Sequence, residues 1–455
     1  MNKYLKKALI LLIWLILWQV VALIVDNPVY FASPFETAAE LTVMAADPQF
    51  WISVLRSLVR IFSGLAAACL LGYACAALSF VSGSGQAFLE PFVSFLTSVP
   101  VAAITVILLI WWGPPYLVLC ISMMVVFPNI YRNMLTGLKS ADKRLLEMAT
   151  VFSIRPREKL LWIYRPAYFE HLLSAVSVSV GMGFKSGVAA EVIGLPELSI
   201  GERLYRDKIY LNTPGVFAWV IVILALGALT ERIVMAVLRS LIKVPDPCPK
   251  ELAPIRSGGN SSLPEGDKYT VIAKDLVKSF GDRTVTDADI MLERGAGYVV
   301  AAPSGSGKTT FMHILAGLIK PDSGSVDTGR ISMVFQDDRL IEHANALRNL
   351  QIAGCRGDLA SELASLYAHD HAGIPASMMS GGERRRLAVA RALLADSDVV
   401  IMDEPFAGMD EKTVDMTSRW ILDHLNGRTL LISTHDEDDA RGLDVSVIKH
   451  NGRNG

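Results

Sequence analysis

The sequence predicts a multi-domain molecule. An all-α polytopic membrane domain of about six transmembrane helices occupies residues 1–244, and an α/β P-loop domain occupies residues 268–455. Three observations predict it. Hydrophobic residues make up 52% of the 455, more than an ordinary soluble enzyme carries, and they are concentrated before residue 244. Residues 245–267 then alternate Pro247, Pro249, Pro254 and Pro264 with Gly258, Gly259, Ser261 and Ser262, a composition that disfavours helix and strand and marks a linker. Finally, residues 302–310 read APSGSGKTT between a short apolar run and a helix-like segment, the strand–turn–helix context of a phosphate-binding loop.

Each spanning helix needs roughly 20 apolar residues. The candidates are residues 8–25, 58–81, 88–112 (interrupted by Pro100), 115–135, 171–193 and 214–238. Basic residues set their orientation. Lys3, Lys6 and Lys7 keep the N-terminus cytoplasmic, and the segment between spans four and five carries Lys139, Lys143, Arg144, Arg155, Arg157, Lys159 and Arg165. Four crossings return that segment to the cytoplasm, and six leave everything after Lys243 there. Reading the first span as a cleaved signal peptide leaves the later topology unchanged. The expected location is therefore the cytoplasmic membrane, multi-pass, with lipid as its surroundings and the C-terminal domain in the cytoplasm.

A net charge of −2 gives no electrostatic case for nucleic acid. The five cysteines, Cys69, Cys75, Cys120, Cys248 and Cys355, are scattered. Their spacing matches neither a metal site nor a disulfide framework, so buried free thiols are expected.

Within the loop, Ala302 stands where Gly is usual. Gly305 and Gly307 let the backbone curl so that successive N–H groups face phosphate oxygens. The following helix adds its positive end. Lys308 can reach the outer phosphates, and the Thr309 hydroxyl can hold magnesium. Downstream, the apolar run 399–402 suits a buried parallel strand and ends in Asp403-Glu404. An acid at such a tip can hold magnesium, and its neighbour can orient or deprotonate an attacking water. A surface acidic pair is the alternative, which the preceding strand and the upstream loop disfavour.

Met379-Ser380-Gly381-Gly382-Glu383-Arg384-Arg385-Arg386 resembles the signature of ABC-transporter ATPases, with Met379 for the usual Leu and Glu383 for a common Gln. Gln336 lies in a Q-loop-like segment, Asp410 in a D-loop-like one, and His435 in a switch-like one; Phe280 stands where that family stacks an aromatic ring on adenine. The resemblance implies ATP and Mg2+ as cofactors. It implies Ala302, Pro303, Ser304, Gly305, Ser306, Gly307, Lys308, Thr309 and Thr310 around the phosphates, with Thr309, Gln336 and Asp403 near the metal. Glu404, Gln336 and His435 would act on the γ-phosphate and its attacking water. Ser380, Gly381, Gly382 and Glu383 would close on ATP held by another copy, so one such domain per chain implies a homodimer.

Glu147 and Ala149, continuing to Ser153, Ile163 and Pro166, resemble the cytoplasmic "EAA" coupling loop of ABC importer permeases. Met148 replaces Ala, Ser153 replaces a glycine and Arg165 replaces leucine. A basic amphipathic turn on lipid is the alternative reading. VAAEVIG and LNTPGVFAWVIVI resemble permeases of the nitrate, sulfonate and taurine importer group. The expected activity is therefore ATP-driven import of a small, anionic or sulfonate-like solute, with an extracytoplasmic solute-binding protein as partner. A half-size exporter, and a membrane-anchored regulatory ATPase without transport, are the rivals. Lys185 and Glu191 lie in or near the fifth span, where charges line pathways or pair structurally.

Overall fold

The computed structural model describes residues 3–241, 268–280, 283–301, 307–367, 372–434 and 446–449. The expected linker 245–267 lies outside them. Contacts divide the chain into two compact units, Met1–Ser140 with Ala167–Lys243, and Ala141–Pro166 with Val244–Gly455.

The helices before the linker are α1 (Lys3–Val25), α2 (Pro34–Ala46), α3 (Pro48–Val81), α4 (Gly83–Ser98), α5 (Val101–Trp112), α6 (Pro114–Lys139), α7 (Lys143–Val151), α8 (Pro156–Lys159), α9 (Arg165–Gly194), α10 (Ile200–Ile209) and α11 (Thr213–Leu241). Among the described residues five helices are long and apolar enough to cross a membrane. The pair α4–α5, bent by 103°, makes a sixth span if counted as one. The bend falls at Val99-Pro100, where proline disfavours a helical preceding residue. Local sequence sets the starts: Ser33 caps α2 in a box with Glu36, and Asp47 caps α3 ahead of Pro48.

Small residues set the spacing of the long helices. Gly64, Ala68, Gly72 and Ala76 recur every fourth position on the buried face of α3. A Cβ on Gly64 would lie 2.6 Å from the Leu119 carbonyl oxygen, and one on Gly72 would lie 2.8 Å from Ile130 Cγ2. On α9, Gly183 and Gly187 meet Val126 and Ile61 in the same way. In an apolar surround, where burial gives no hydrophobic gain, such close approach supplies the dispersion that holds helices together. Apolar packing forms one layer around Phe50, Ile61, Leu117, Phe184 and Trp219, and another around Ala68, Val126, Ile130, Met134 and Val180.

Buried polar groups in this unit are tied to one another. Glu191 is 0% exposed. It accepts from Ser57 Oγ at 2.8 Å and from the Gly201 amide at 3.1 Å, with Arg60 at 4.0 Å. Ser57 Oγ accepts from the Ile200 amide at 2.9 Å. The first turn of α10 is thus bound to α3 and α9 together. Ser177 donates to Glu231 at 2.7 Å, and Asn129 to Ser179 at 2.8 Å. Lys185 and Glu191 do not pair. Lys185 is exposed and makes no hydrogen bond or ion pair among the described residues.

In the second unit the strands are β1 (Tyr269–Phe280), β2 (Arg283–Glu293), β3 (Gly297–Ala301), β4 (Ser323–Thr328), β5 (Ile331–Val334), β6 (Val399–Asp403), β7 (Thr429–Thr434) and β8 (Ser446–Lys449). The helices continue as α12 (Lys308–Leu315), α13 (Ala346–Ile352), α14 (Leu359–Leu366), α15 (Gly381–Leu394) and α16 (Glu411–Leu425). An antiparallel sheet ordered β2-β1-β4 stands beside a parallel sheet ordered β5-β6-β7-β3-β8. Every residue of β6 and β7 is buried, as expected of a parallel sheet covered on both faces. Residues 141–166, from the loop between the fourth and fifth spans, pack into this unit. Cys355 is a free thiol whose burial pushes its pKa up to about 12. Cys69, Cys75 and Cys120 are free as well.

Candidate active site

The site lies at the carboxyl ends of the parallel strands, where doubly wound sheets open a crevice. β3 ends at Ala301 and α12 begins at Lys308. Between them Ala302, Pro303, Ser304, Gly305 and Ser306 lie outside the described residues. Gly307 takes φ +101 as it enters α12, a conformation closed to side chains with a Cβ. Lys308 is 6% exposed, so its ammonium is held within the fold. Thr310, one residue beyond Thr309, is half-buried in the first turn of α12.

Asp403, at the tip of β6, is 1% exposed. One of its oxygens accepts from Thr309 Oγ1 at 2.8 Å, and the other accepts from Ser433 Oγ at the end of β7. Among the described residues, no three His, Cys, Asp or Glu side chains converge on a metal. A hydroxyl and a carboxylate within hydrogen-bond reach, at the start of α12, fit Mg2+ all the same. That ion takes few protein ligands and draws the rest from water and phosphate. Gln336, exposed on the loop after β5, is the further oxygen donor foreseen for it.

Glu404 follows Asp403 with φ +51. This left-handed conformation costs a non-glycine residue about 1–2 kcal/mol. Its amide donates to the Ser433 carbonyl at 3.1 Å, and its carbonyl accepts from Arg385 Nη2 at 2.6 Å. Arg385 is the residue that motif reasoning missed. Only 3% exposed, it donates to the carbonyls of Phe335, Gln336, Asp403 and Glu404 and to Asp338 Oδ1. One guanidinium thus joins the loop after β5 to the tip of β6. Burial draws its pKa down, and Asp338 opposes that. The available signal was periodic: Arg385 falls on the face of α15 shared with the buried Ala388, Val389 and Ala392.

Ser380 caps α15. Its Oγ accepts from the Glu383 amide, and Glu383 Oε2 accepts from the Ser380 amide at 2.8 Å. Gly381 and Gly382 form the first turn; a Cβ on Gly381 would meet nothing within 4 Å, and one on Gly382 would meet only Arg386 Nη1, at 3.9 Å. Asp410 caps α16 by accepting from the Thr413 amide at 2.8 Å, a bond that lowers its pKa. Phe280 ends β1 with its ring 54% exposed and the Lys278 ammonium 5.5 Å from its centroid. His435 lies outside the described residues.

The 141–166 segment meets the loop after β5 directly. Arg339 Nη1 binds Glu147 Oε2 at 2.6 Å and its Nε binds Asp337 Oδ1 at 2.8 Å. Arg144 reaches Asp337 at 3.4 Å. Ala149 is fully buried, Phe152 lies under the Arg391 guanidinium at 5.1 Å, and Trp162 stacks on His343 at 5.6 Å. Burial, opposed by Glu342, holds His343 below its ordinary pKa. Ser153 takes φ +48, which only glycine adopts without strain. Ser153→Gly should raise stability by about 1 kcal/mol, seen as a melting shift of about 2–4 °C. A lower melting temperature would mean that the serine side chain contributes more than the strain removes.

A family described as "ABC transporter" matches residues 285–407, and one described as "Binding-protein-dependent transport system inner membrane component" matches residues 68–243. The aliphatic sulfonates import ATP-binding protein SsuB 3 of Rhodococcus jostii is 35% identical over 199 residues, 41% of this chain and 74% of that protein. The chain belongs to the ABC transporters. SsuB 1 of Nocardia farcinica is 38% identical over 39% of this transporter and 77% of its own length. The taurine import ATP-binding protein TauB of Pseudomonas aeruginosa is 35% identical over 36% and 71%. The transporter thus carries a permease region and an ABC ATPase on one chain, of the importer type, and hydrolyses ATP in support of transport.

Proposed function

We propose that two copies of this transporter import a small sulfonate-like solute across the cytoplasmic membrane, receiving it from an extracytoplasmic binding protein. Lys308 and the glycine-rich loop hold the phosphates of ATP, and Phe280 stacks on its base. Thr309 and Asp403 would hold Mg2+, with Gln336 as a further oxygen donor; the ion would neutralise phosphate charge. Glu404 takes the proton of the attacking water. Ser380, Gly381 and Gly382 offer a capped helix N-terminus to the γ-phosphate held by the second copy, His435 contacts the γ-phosphate of the ATP that Lys308 holds, and Asp410 lies at the seam. The relatives named for sulfonate and taurine import support the solute class.

One observation carries the coupling. The permease-derived segment reaches the residues next to Gln336 through the Glu147–Arg339 ion pair, with Arg339 8% exposed. A change at the nucleotide therefore has a short path into the membrane-spanning chain. Glu147→Arg and Arg339→Glu should each lower solute moved per ATP hydrolysed by about tenfold, with the double variant regaining part of the loss. The measurement is ethanesulfonate and taurine uptake, with ATP consumption, in vesicles from cells that also express the host's binding proteins. Unchanged uptake per ATP in both single variants would reject the coupling role. Uptake that persists without ATP turnover would reject import itself.

A further inference from the structure

We propose that Lys185 lines the aqueous route through the membrane and selects small anionic solutes bearing a sulfonate, carboxylate or phosphate group. The proposal rests on the import reading above and deepens it with a residue.

One face of α9 is uncovered within the protomer. Val178, Met182, Lys185, Ala189 and Ile193 follow one another at helical spacing, and all are exposed. Four of the five are apolar or small. Lys185 is the one charge among them, without a partner among the described residues. Lys185 lies inside a run that is long and apolar enough to cross a membrane, about 14 Å of helix rise before α9 ends at Gly194 and further from its start. That is beyond the reach of a lysine stem.

An ammonium facing hydrocarbon at that depth is costly, and such charges face water or a bundle interior. Gly181, one turn from Lys185, has nothing within 4 Å of the position a Cβ would take, so no other part of the described chain fills the space beside the stripe there. The nearest acid on the helix, Glu191, is fully buried and already bound to Ser57 and Gly201. The stripe itself carries no acid. A second copy facing this one would bring a second ammonium to the same passage. The local potential is then positive, which concentrates anions and repels cations.

The test uses the full-length chain in membrane vesicles, with its native cysteines replaced and one reporter introduced by Ala189→Cys. Its reaction rates are measured with two membrane-impermeant thiosulfonates, the anionic sulfonatoethyl and the cationic trimethylammonioethyl reagent. The reporter should react from one side of the membrane. Its preference for the anionic reagent should fall about tenfold on Lys185→Met and persist on Lys185→Arg. No reaction with either reagent would place the stripe against lipid or dry protein and overturn the proposal. An equal preference in Lys185→Met would overturn it too. Should Lys185→Met fail to assemble, Lys185→Gln serves in its place. Ethanesulfonate uptake with and without Glu404→Gln is measured in the same vesicles. ATP-independent uptake removes the import reading, whereas the labelling result alone decides Lys185.

Discussion

Replacing Glu404 with glutamine should lower ATP turnover by about a hundredfold or more while nucleotide binding persists. Glutamine keeps the length of the side chain and meets the same backbone demand at φ +51. The amide bond to the Ser433 carbonyl and the Arg385 bond to the residue-404 carbonyl both remain. The carboxylate oxygen proposed to take the proton is lost. In the two-copy arrangement proposed above, where hydrolysis releases the clamp, the nucleotide should then hold the copies together for longer. Steady-state hydrolysis, nucleotide binding and size-exclusion in ATP test this. Turnover at the wild-type rate would remove Glu404 as the general base.

Truncating Arg385 should have the largest effect on stability. Arg385→Ala strips donors from four backbone carbonyls and from Asp338 in a region closed to water. Losing one partner of a buried charged network costs about 3–5 kcal/mol, a large share of a domain's margin. The ATPase transition should melt about 10 °C lower. Arg385→Lys should recover little, because an ammonium cannot span carbonyls that a planar fork reaches from two sides. Because those carbonyls belong to Gln336, Asp403 and Glu404 among others, hydrolysis should fall at temperatures where the variant is still folded. A melting temperature within about 2 °C of wild type would show that water replaces the guanidinium.

Much of the fold was legible because its signals are local. The apolar runs announced the spanning helices, and Pro100 announced the break between α4 and α5. The apolar run before Asp403 announced β6. A glycine-lysine spacing pointed to the start of α12 soon after β3. What stayed hidden depends on tertiary neighbours. Nothing beside Arg385 in the sequence points to Phe335 or Glu404, which lie far along the chain. Ser433 meets Asp403 only because β6 and β7 pair in parallel register. Arg339 finds Glu147 across nearly two hundred residues. Ser153 is the intermediate case: its departure from glycine was visible, and the fold imposes the left-handed conformation that departure has to tolerate.

The Glu191 cluster gives α10 a mechanical character. Ser57 from α3 and Glu191 from α9 hold the opening amides of α10 in one hydrogen-bonded knot. Pulling α10 away would strand a carboxylate in a place that water cannot easily enter. A load applied to α10 is therefore shared by two long helices at once, as a yoke drives a pair of shafts.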